Sequence, residues 1–151
     1  MYTIGQVSEM FDIPISTLRY YDREGLFPNM QRRSGIRRFS PTEVDALRVI
    51  ECLKASGLEI KDIKKFMQWC TMGPSTFAER KELFENRKAA VETEMARLEK
   101  VLNLLRFKCW YYETALETGS EDFAAAMLPD KLPPEIQELY DNCPIGSGHN
   151  L

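Results

Sequence analysis

The feature that most constrains the fold is the stretch 76–118, which contains neither proline nor glycine. It is rich in strong helix formers and therefore predicts one continuous helix. At about 1.5 Å per residue such a helix is roughly 65 Å long, which is much longer than the globular part of a 151-residue chain. The chain is therefore expected to be organised around a single long helix.

Apolar residues recur along this stretch with the seven-residue period of a coiled coil. One series is spaced by seven, and a second series lies four residues after members of the first. The predicted dimer seam is Phe84, Val91, Met95, Leu98, Leu102 and Leu105, continued by Cys109 and Tyr112. No other segment is long enough to cover this row, so we expect a homodimer. The alternative is a long helix that folds back on the chain's own domains.

Two short helices joined by a tight turn are predicted at the start of the chain. Thr3 and Gln6 form a capping-box pair in front of apolar residues at helical spacing, and residues 12–14 break that helix. Ser16 is expected to cap a second helix at about 16–24. Two helices with this short connection have the outline of a helix-turn-helix.

A hairpin with a basic surface is predicted next. Residues 27–39 have the pattern of two strands that turn at Ser34-Gly35. Although the whole chain has a net charge of −3, the region 17–38 carries six arginines, which are Arg19, Arg23, Arg32, Arg33, Arg37 and Arg38. A basic patch on an acidic chain indicates a localised anion-binding surface. The alternative is an ordinary solvated charged face.

Two further helices and a linker precede the long helix. Ser40, Pro41 and Glu43 combine an N-cap, a proline in the first turn and a capping-box acid. The next helix is expected at about 60–69. The expected organisation is a globular domain at 1–70, a linker at 71–75, a dimerisation helix at 76–118 and a short helical tail at 119–151.

Composition excludes several classes of protein. The four cysteines form no CxxC pair, so a zinc ribbon is not expected. One histidine, His149, disfavours a histidine-dependent triad or a histidine-rich metal site. No apolar run reaches the roughly 18–20 residues of a membrane span, and the first residues do not form a secretory signal. We therefore expect no catalytic residues, no metal, no cofactor and a cytoplasmic location.

Four motifs in order resemble the MerR family of bacterial transcription regulators. They are the opening IGQVSEMFDIP, the LRYYDREGLF of the second helix, the GIRRFS of the hairpin and the LKASGLEIKDIK that follows. The resemblance extends over about the first 118 residues, including the long helix. Within the family, KCWYYETALETG at 108–119 looks like the branch that responds to aldehydes and nitrosative stress.

The resemblance implies a mainly α fold, in which a winged helix-turn-helix DNA-binding domain precedes a long dimerisation helix that forms an antiparallel coiled coil. It implies a homodimer that binds a pseudo-palindromic operator in double-stranded promoter DNA and distorts that DNA to control transcription. RNA polymerase would then be reached only through the promoter. The family is not enzymatic, and its members act in the bacterial cytoplasm, associated with the nucleoid and not with a membrane.

The resemblance also assigns DNA-binding residues. They are Thr17, Arg19, Tyr20, Tyr21, Arg33, Arg37, Arg38 and Lys61. Arg19 is expected to read a base edge, because arginine pairs with guanine through two hydrogen bonds. The two tyrosines are expected to contact phosphates. Alternatively, one of the tyrosines packs in the domain core, and Arg23 pairs with Asp22 on the surface.

The branch that the sequence resembles has a sensing cysteine in the context IECLKASG, which here is Cys52. Arg48 and Lys54 lie near it in the sequence and would favour its thiolate form. The alternative is a cysteine that packs as a small apolar side chain. Similarly, the aromatic run 110–112 is either a helix-end core or a ligand box.

Other functions are open at this level. One is an effector-independent repressor or architectural DNA-binding protein of the same fold. A thiol-redox enzyme is disfavoured because no two cysteines are adjacent, and a coiled-coil adaptor would leave the basic helix and hairpin without a role.

Overall fold

The computed structural model describes residues 1–144. The elements in chain order are α1 (Ile4–Phe11), α2 (Ile15–Arg23), β1 (Gln31–Arg33), β2 (Ile36–Arg38), α3 (Pro41–Ala55), α4 (Ile60–Met72), a 3-10 turn (Gly73–Thr76), α5 (Phe77–Thr118), α6 (Asp122–Ala125) and α7 (Pro134–Asp141). This order confirms the expected mainly α fold, with a helix-turn-helix, a small hairpin and a long helix. The described chain divides into two compact units, the first ending at Lys88 and the second beginning at Ala89.

Local signals in the first two helices act largely as the sequence predicts. The backbone N–H of Gln6 donates to Thr3 Oγ1 over 3.2 Å, and the N–H of Thr3 donates to Gln6 Oε1 over 2.9 Å. The expectation that Ser16 caps α2 is wrong, because Pro14 is the N-cap. The carbonyl of Pro14 accepts the backbone N–H of Leu18 over 3.2 Å, so Ser16 already lies inside the first turn.

The wing, residues 31–38, is the predicted hairpin. Its strands pair Gln31 with Arg38, Arg32 with Arg37 and Arg33 with Ile36. Ser34 and Gly35 have φ values of 52° and 75°, and two consecutive residues with positive φ form the turn that suits a two-residue hairpin. At the base of the wing, Tyr2 and Phe39 exchange backbone hydrogen bonds. The wing is therefore tied to the first residues of the chain.

The start of α3 also follows the prediction. Ser40 is the N-cap, Pro41 occupies the first turn and Glu43 completes the capping box, with its carboxylate 2.9 Å from the N–H of Ser40. Gly57 follows the end of the helix with φ of 86°. This positive φ favours glycine, and a Cβ there would also meet the guanidinium of Arg87, which would have to move.

The helix α4 is longer than the sequence predicts, and the residues expected as a linker, 71–75, lie in its last turn and in the 3-10 turn. The hydroxyl of Thr76 is buried, within 2.8 Å of the carbonyl oxygen of Trp69 and 3.0 Å of that of Gly73. Arg80 Nη2 donates to the same Gly73 carbonyl over 2.6 Å. These bonds satisfy carbonyl groups at the helix end, so the chain stays helical where a linker was expected.

One apolar core holds the first unit together. Its buried members are Val7, Ile13, Leu18, Tyr21, Leu26, Phe27, Phe39, Val44, Leu47, Ile50, Leu53 and Ile63. The first turns of α5 attach to this unit, since the rings of Phe84 and Phe66 meet edge to face at 5.3 Å and Arg87 Nε donates to the Ser56 carbonyl over 2.5 Å. The first compact unit therefore includes the first turns of α5, as far as Lys88.

The second unit begins at Ala89 and has a small aromatic core. Phe107 is buried and packs against Trp110, Tyr111 and, from α7, Tyr140, with ring centroids 5.1–6.2 Å apart. The aromatic run at the helix end thus contributes to a core, which is one of the two alternatives that the sequence left open. The predicted tail contains two short helices, α6 and α7, joined by turns, and residues 145–151, with His149, lie outside the described residues. Among residues 1–144, even the longest helix is not apolar enough to cross a bilayer.

Candidate nucleic-acid interface

The helix α2 separates its side chains into a buried and an exposed set. Leu18 and Tyr21 are buried in the core, whereas Arg19 and Tyr20 are exposed and Thr17 is half-buried. Arg19 makes no ion pair with any other residue between 1 and 144. The exposed side of α2 therefore offers a free guanidinium and a phenol, both of which are groups that contact nucleic acid.

Tyr21 does not fit the expectation of a phosphate contact, because its side chain is 1% exposed. Its hydroxyl donates to Glu51 Oε1 over 2.8 Å and accepts from Lys54 Nζ over 2.7 Å. Burial, with a smaller contribution from Glu51, raises the pKa of this phenol above its ordinary value. Adjacent residues on a helix point in different directions, and here the inward one joins α2 to α3.

Asp22 connects the wing to α2, and sequence reasoning did not find it. Its side chain is only 7% exposed, and Oδ2 accepts Arg37 Nε over 2.6 Å and Arg32 Nη2 over 3.0 Å. The alternative pairing of Arg23 with Asp22 is absent among the described residues, and the Arg23 guanidinium lies 5.9 Å from the ring centroid of Tyr20.

A sequence signal for this contact did exist. The predicted turn at Ser34-Gly35 places Arg32 opposite Arg37, and like charges directly opposite each other destabilise a hairpin. A nearby carboxylate was therefore needed, and the helix that precedes the wing supplies Asp22.

The remaining predicted cations lie on the surface of the same unit. Arg33 is exposed and Arg38 is half-buried, and with Arg32 they line an open recess of about 510 Å³ beside Met1. Lys61, in the first turn of α4, is exposed and pairs with Glu59 over 3.0 Å, which raises its pKa. The arrangement is a surface with several cationic groups, which is what a polyanion such as a phosphate backbone requires.

Cys52 lies on α3 with its side chain exposed. The neighbours expected to favour its thiolate are engaged elsewhere, since Arg48 pairs with Asp45 over 2.6 Å and Lys54 donates to Tyr21. Within a single chain Cys52 is therefore not a buried core residue, which was the alternative to a sensing thiol. An exposed thiol is open to reagents.

The predicted dimer seam is largely uncovered. Five of its apolar members are 38–64% exposed, and they are Val91, Met95, Leu98, Leu102 and Leu105. Phe84 is also exposed, at 41%, although its ring meets that of Phe66 of the same chain at a centroid distance of 5.3 Å. A row of apolar side chains along one helix that the described chain does not cover favours a partner over the alternative of a helix that folds back.

Comparison with known proteins agrees with this geometry. Residues 2–69 match the family described as MerR HTH family regulatory protein. An uncharacterized HTH-type transcriptional regulator from Haemophilus influenzae is 40% identical over 120 residues, which are 79% of this chain and 89% of that protein.

Two solved structures have the same fold. The structure of HiNmlR, described as a MerR family regulator lacking the sensor domain and bound to promoter DNA, matches with a TM-score of 0.62 and 40% identity, over 80% of this chain and 96% of that one. A MerR family regulator from Bacillus thuringiensis matches with a TM-score of 0.58 and 40% identity, over 72% and 96%. The exposed side of α2, the wing and these relatives agree, and the chain belongs to the MerR family of helix-turn-helix transcription regulators, which are not enzymes.

Proposed function

We propose that the chain binds a pseudo-palindromic promoter operator as a homodimer and controls transcription by distorting the DNA. The observation that carries the proposal is the combination, within one unit, of an exposed α2 with a free Arg19 and a wing rich in arginine. It is supported by the similar HiNmlR, whose structure is described as bound to promoter DNA. Such binding would take place in the bacterial cytoplasm, on nucleoid DNA.

Each part of this surface has a distinct role in the proposal. Arg19 reads a base edge in the major groove, because its guanidinium can pair with guanine through two hydrogen bonds. Tyr20 and Thr17 contact phosphates beside it and fix the register of α2 on the duplex. The wing cations Arg33, Arg37 and Arg38 and the first turn of α4 with Lys61 add further phosphate contacts.

Dimerisation supplies the second half-site. The exposed seam from Val91 to Leu105 pairs with the same row of a second chain in an antiparallel coiled coil, which removes both apolar surfaces from water. A two-fold dimer presents two copies of α2, and an operator with matching two-fold symmetry follows from that geometry.

The regulatory step is mechanical work on DNA. Bending and untwisting a promoter costs on the order of several kcal/mol, and an effector can drive that change only if it binds the two protein states with different affinity. In the proposal, the distorted promoter brings two separated elements into the alignment that RNA polymerase requires.

Cys52 is the proposed point at which an aldehyde or another electrophile acts. The thiol adds to the carbonyl group, so that a C–S bond forms and the thiol proton is transferred to the oxygen. Cys52 lies one turn before Ser56, whose carbonyl accepts Arg87 from α5. A group added at Cys52 therefore lies close to the place where the long helix is attached to α3.

A second candidate is a regulator that needs no effector. It is favoured by the match to HiNmlR, which is described as lacking the sensor domain and of which this chain spans 96%. The two candidates differ in one measurable property, which is whether transcription changes when an electrophile is added.

The proposal is tested by footprinting the DNA upstream of the protein's own and neighbouring genes, followed by affinity measurements between about 50 and 200 mM salt. Affinity for the protected site should fall steeply with salt, as phosphate contacts require. Weak binding that does not depend on salt would contradict the DNA-binding function itself.

The effector is tested in a transcription assay with and without formaldehyde. We expect Cys52→Ser to keep operator affinity and to lose the response. Cys70→Ser is the matched control, because this thiol is also exposed and lies in the same unit. A normal response of Cys52→Ser would show that the signal enters elsewhere, and no response of the wild type would favour the effector-independent candidate.

A further inference from the structure

We infer that Asp22 is a positioning residue for DNA binding, which strengthens binding by fixing the arginines of the wing although its own charge repels DNA. The inference rests on the proposed DNA-binding function and deepens it. Asp22 lies in the last turn of α2, directly after the tyrosine pair of that helix.

The carboxylate of Asp22 bonds to both strands of the wing. Arg32 belongs to β1 and Arg37 to β2, and both donate to the same oxygen, Oδ2, over 3.0 and 2.6 Å. The Asp22 side chain is 7% exposed, and that of Arg37 is 26% exposed. The contact with Arg37 is thus largely shielded from water, which strengthens an ion pair relative to one on the open surface.

The wing needs such a contact because it is small and highly charged. Each strand has three residues, and the hairpin pairs Arg32 directly with Arg37. A two-stranded hairpin alone is marginally stable in water, and two facing cations weaken it further. A carboxylate shared by both arginines offsets that repulsion and holds the hairpin to α2.

The same contact prepares Arg37 for a phosphate. Its Nε donates to Asp22, while its two terminal nitrogens make no hydrogen bond to another residue within 1–144. A guanidinium held at one nitrogen loses less conformational freedom when the others bind an anion, and a ligand contact that is arranged beforehand gains affinity. Asp22 therefore sets where the donors of the wing lie relative to α2.

The sign of the effect separates positioning from simple electrostatics. A carboxylate close to bound DNA repels the phosphates, so removal of its charge should tighten binding if the side chain had no other role. If Asp22 positions the wing, the same substitution should weaken binding. The two explanations thus predict opposite changes in Kd.

The test compares Asp22→Asn with Glu24→Gln by fluorescence anisotropy on the footprinted operator. Glu24 is the matched control, because it caps the same helix and has no recorded ion pair among residues 1–144. We expect Asp22→Asn to raise Kd by about tenfold, the loss that corresponds to one charge-assisted contact, and to lower the salt slope by about one unit. Glu24→Gln should leave Kd unchanged or slightly lower it.

A double-mutant cycle identifies the arginine through which Asp22 acts. In an Arg37→Gln background, Asp22→Asn should lose most of its effect on Kd, because the group that it positions is already gone. A full tenfold effect in that background would overturn the inference for Arg37. Circular dichroism melting of each variant checks that the unit is folded at the assay temperature.

The outcomes separate the two levels of the proposal. If the wild type binds the operator and Asp22→Asn binds equally well or more tightly, the inference on Asp22 is wrong and the DNA-binding function stands. If the wild type shows no salt-dependent binding, the proposed function itself fails. Should Asp22→Asn be unfolded, Asp22→Glu replaces it, since it keeps the charge and moves the carboxylate. Wild-type affinity of that variant would then overturn the inference.

Discussion

Leucine side chains are buried in the core of the first unit and exposed along the seam of the long helix. Leu47, on α3 of the first unit, is completely buried, whereas Leu98 and Leu105, on the long helix beyond Lys88, are 51% and 55% exposed. All three belong to helices with apolar residues at regular spacing. The difference is that the first unit has enough neighbouring elements to close a core around Leu47, while no other part of the described chain covers Leu98 and Leu105.

This difference indicates where the stability of each region comes from. The first unit gains its free energy of folding from apolar burial within one chain. The seam of α5 can gain the same kind of free energy only from a second chain, so its stability should depend on protein concentration. Variants in each region can therefore test whether the first unit is stabilised within one chain and the seam by a second chain.

The largest effect is expected from charges in the seam. Leu98→Asp combined with Leu105→Asp should give monomers, because two carboxylates per chain would be buried against the partner. Operator affinity should fall by about 10²–10⁴-fold, since the two half-sites are no longer linked. Light scattering and anisotropy measure the two quantities.

The control for this variant is Lys100→Asp, which places a carboxylate on the same helix outside the seam and should leave the dimer intact. If light scattering shows that the wild type is a monomer at micromolar concentration, the proposal that a second chain covers the seam is wrong.

The next effect compares one truncation in each region. Leu47→Ala should lower the free energy of unfolding of the first unit by about 2–5 kcal/mol, as a cavity in a packed core does, at any protein concentration. The cost of Leu98→Ala should change with concentration, because its partner atoms belong to another chain. Urea unfolding at two concentrations tenfold apart distinguishes the two cases. Equal and concentration-independent losses would mean that the seam is covered within one chain.

A smaller effect concerns recognition, which should not involve the seam. Arg19→Ala should cost about 1–3 kcal/mol of discrimination at one base pair in each half-site. Arg37→Ala should instead weaken binding to every sequence and lower the salt slope by about one unit. Both variants should remain dimers in light scattering. If each weakened operator and random DNA equally, the division between base reading and phosphate contact would be wrong.

The smallest effect concerns the hydrogen bonds of the Tyr21 hydroxyl, which join α2 to α3. Tyr21→Phe removes hydrogen bonds to Glu51 and Lys54 and should cost about 1–2 kcal/mol of unfolding free energy at neutral pH. Tyr2→Phe, at an exposed phenol, is the control and should cost almost nothing.

Tyr21 also predicts a pH dependence of stability. Its pKa is raised in the folded chain, so the folded state holds the phenolic proton more tightly than the unfolded state does. Its contribution is complete below the ordinary tyrosine pKa of about 10 and decreases as the pH rises above it. The wild type should therefore lose stability above pH 10 more steeply than Tyr21→Phe in urea titrations. Parallel curves would show that burial of this phenol is not linked to its ionisation.

The sequence by itself determined the elements whose signals are local. The Thr3 and Ser40 capping boxes, the turn at Ser34-Gly35 and the uninterrupted α5 all depend on hydrogen bonds or backbone angles within a few residues. A backbone group that finds its partner three or four residues away does so wherever the element lies in the molecule. For this reason these predictions hold without knowledge of the fold.

Tertiary structure alone decided the contacts between distant residues. Tyr20 and Tyr21 are adjacent residues of the same type, and the sequence does not say which of them is buried. The packing of α2 on α3 buries Tyr21 and leaves Tyr20 exposed. Asp22 bonds to arginines that lie 10 and 15 positions away. Arg87 reaches a carbonyl 31 positions away, which attaches the first turns of α5 to α3. The physical reason is that burial and long-range pairing depend on which surfaces the folded chain brings together, and local propensity carries no information about that choice.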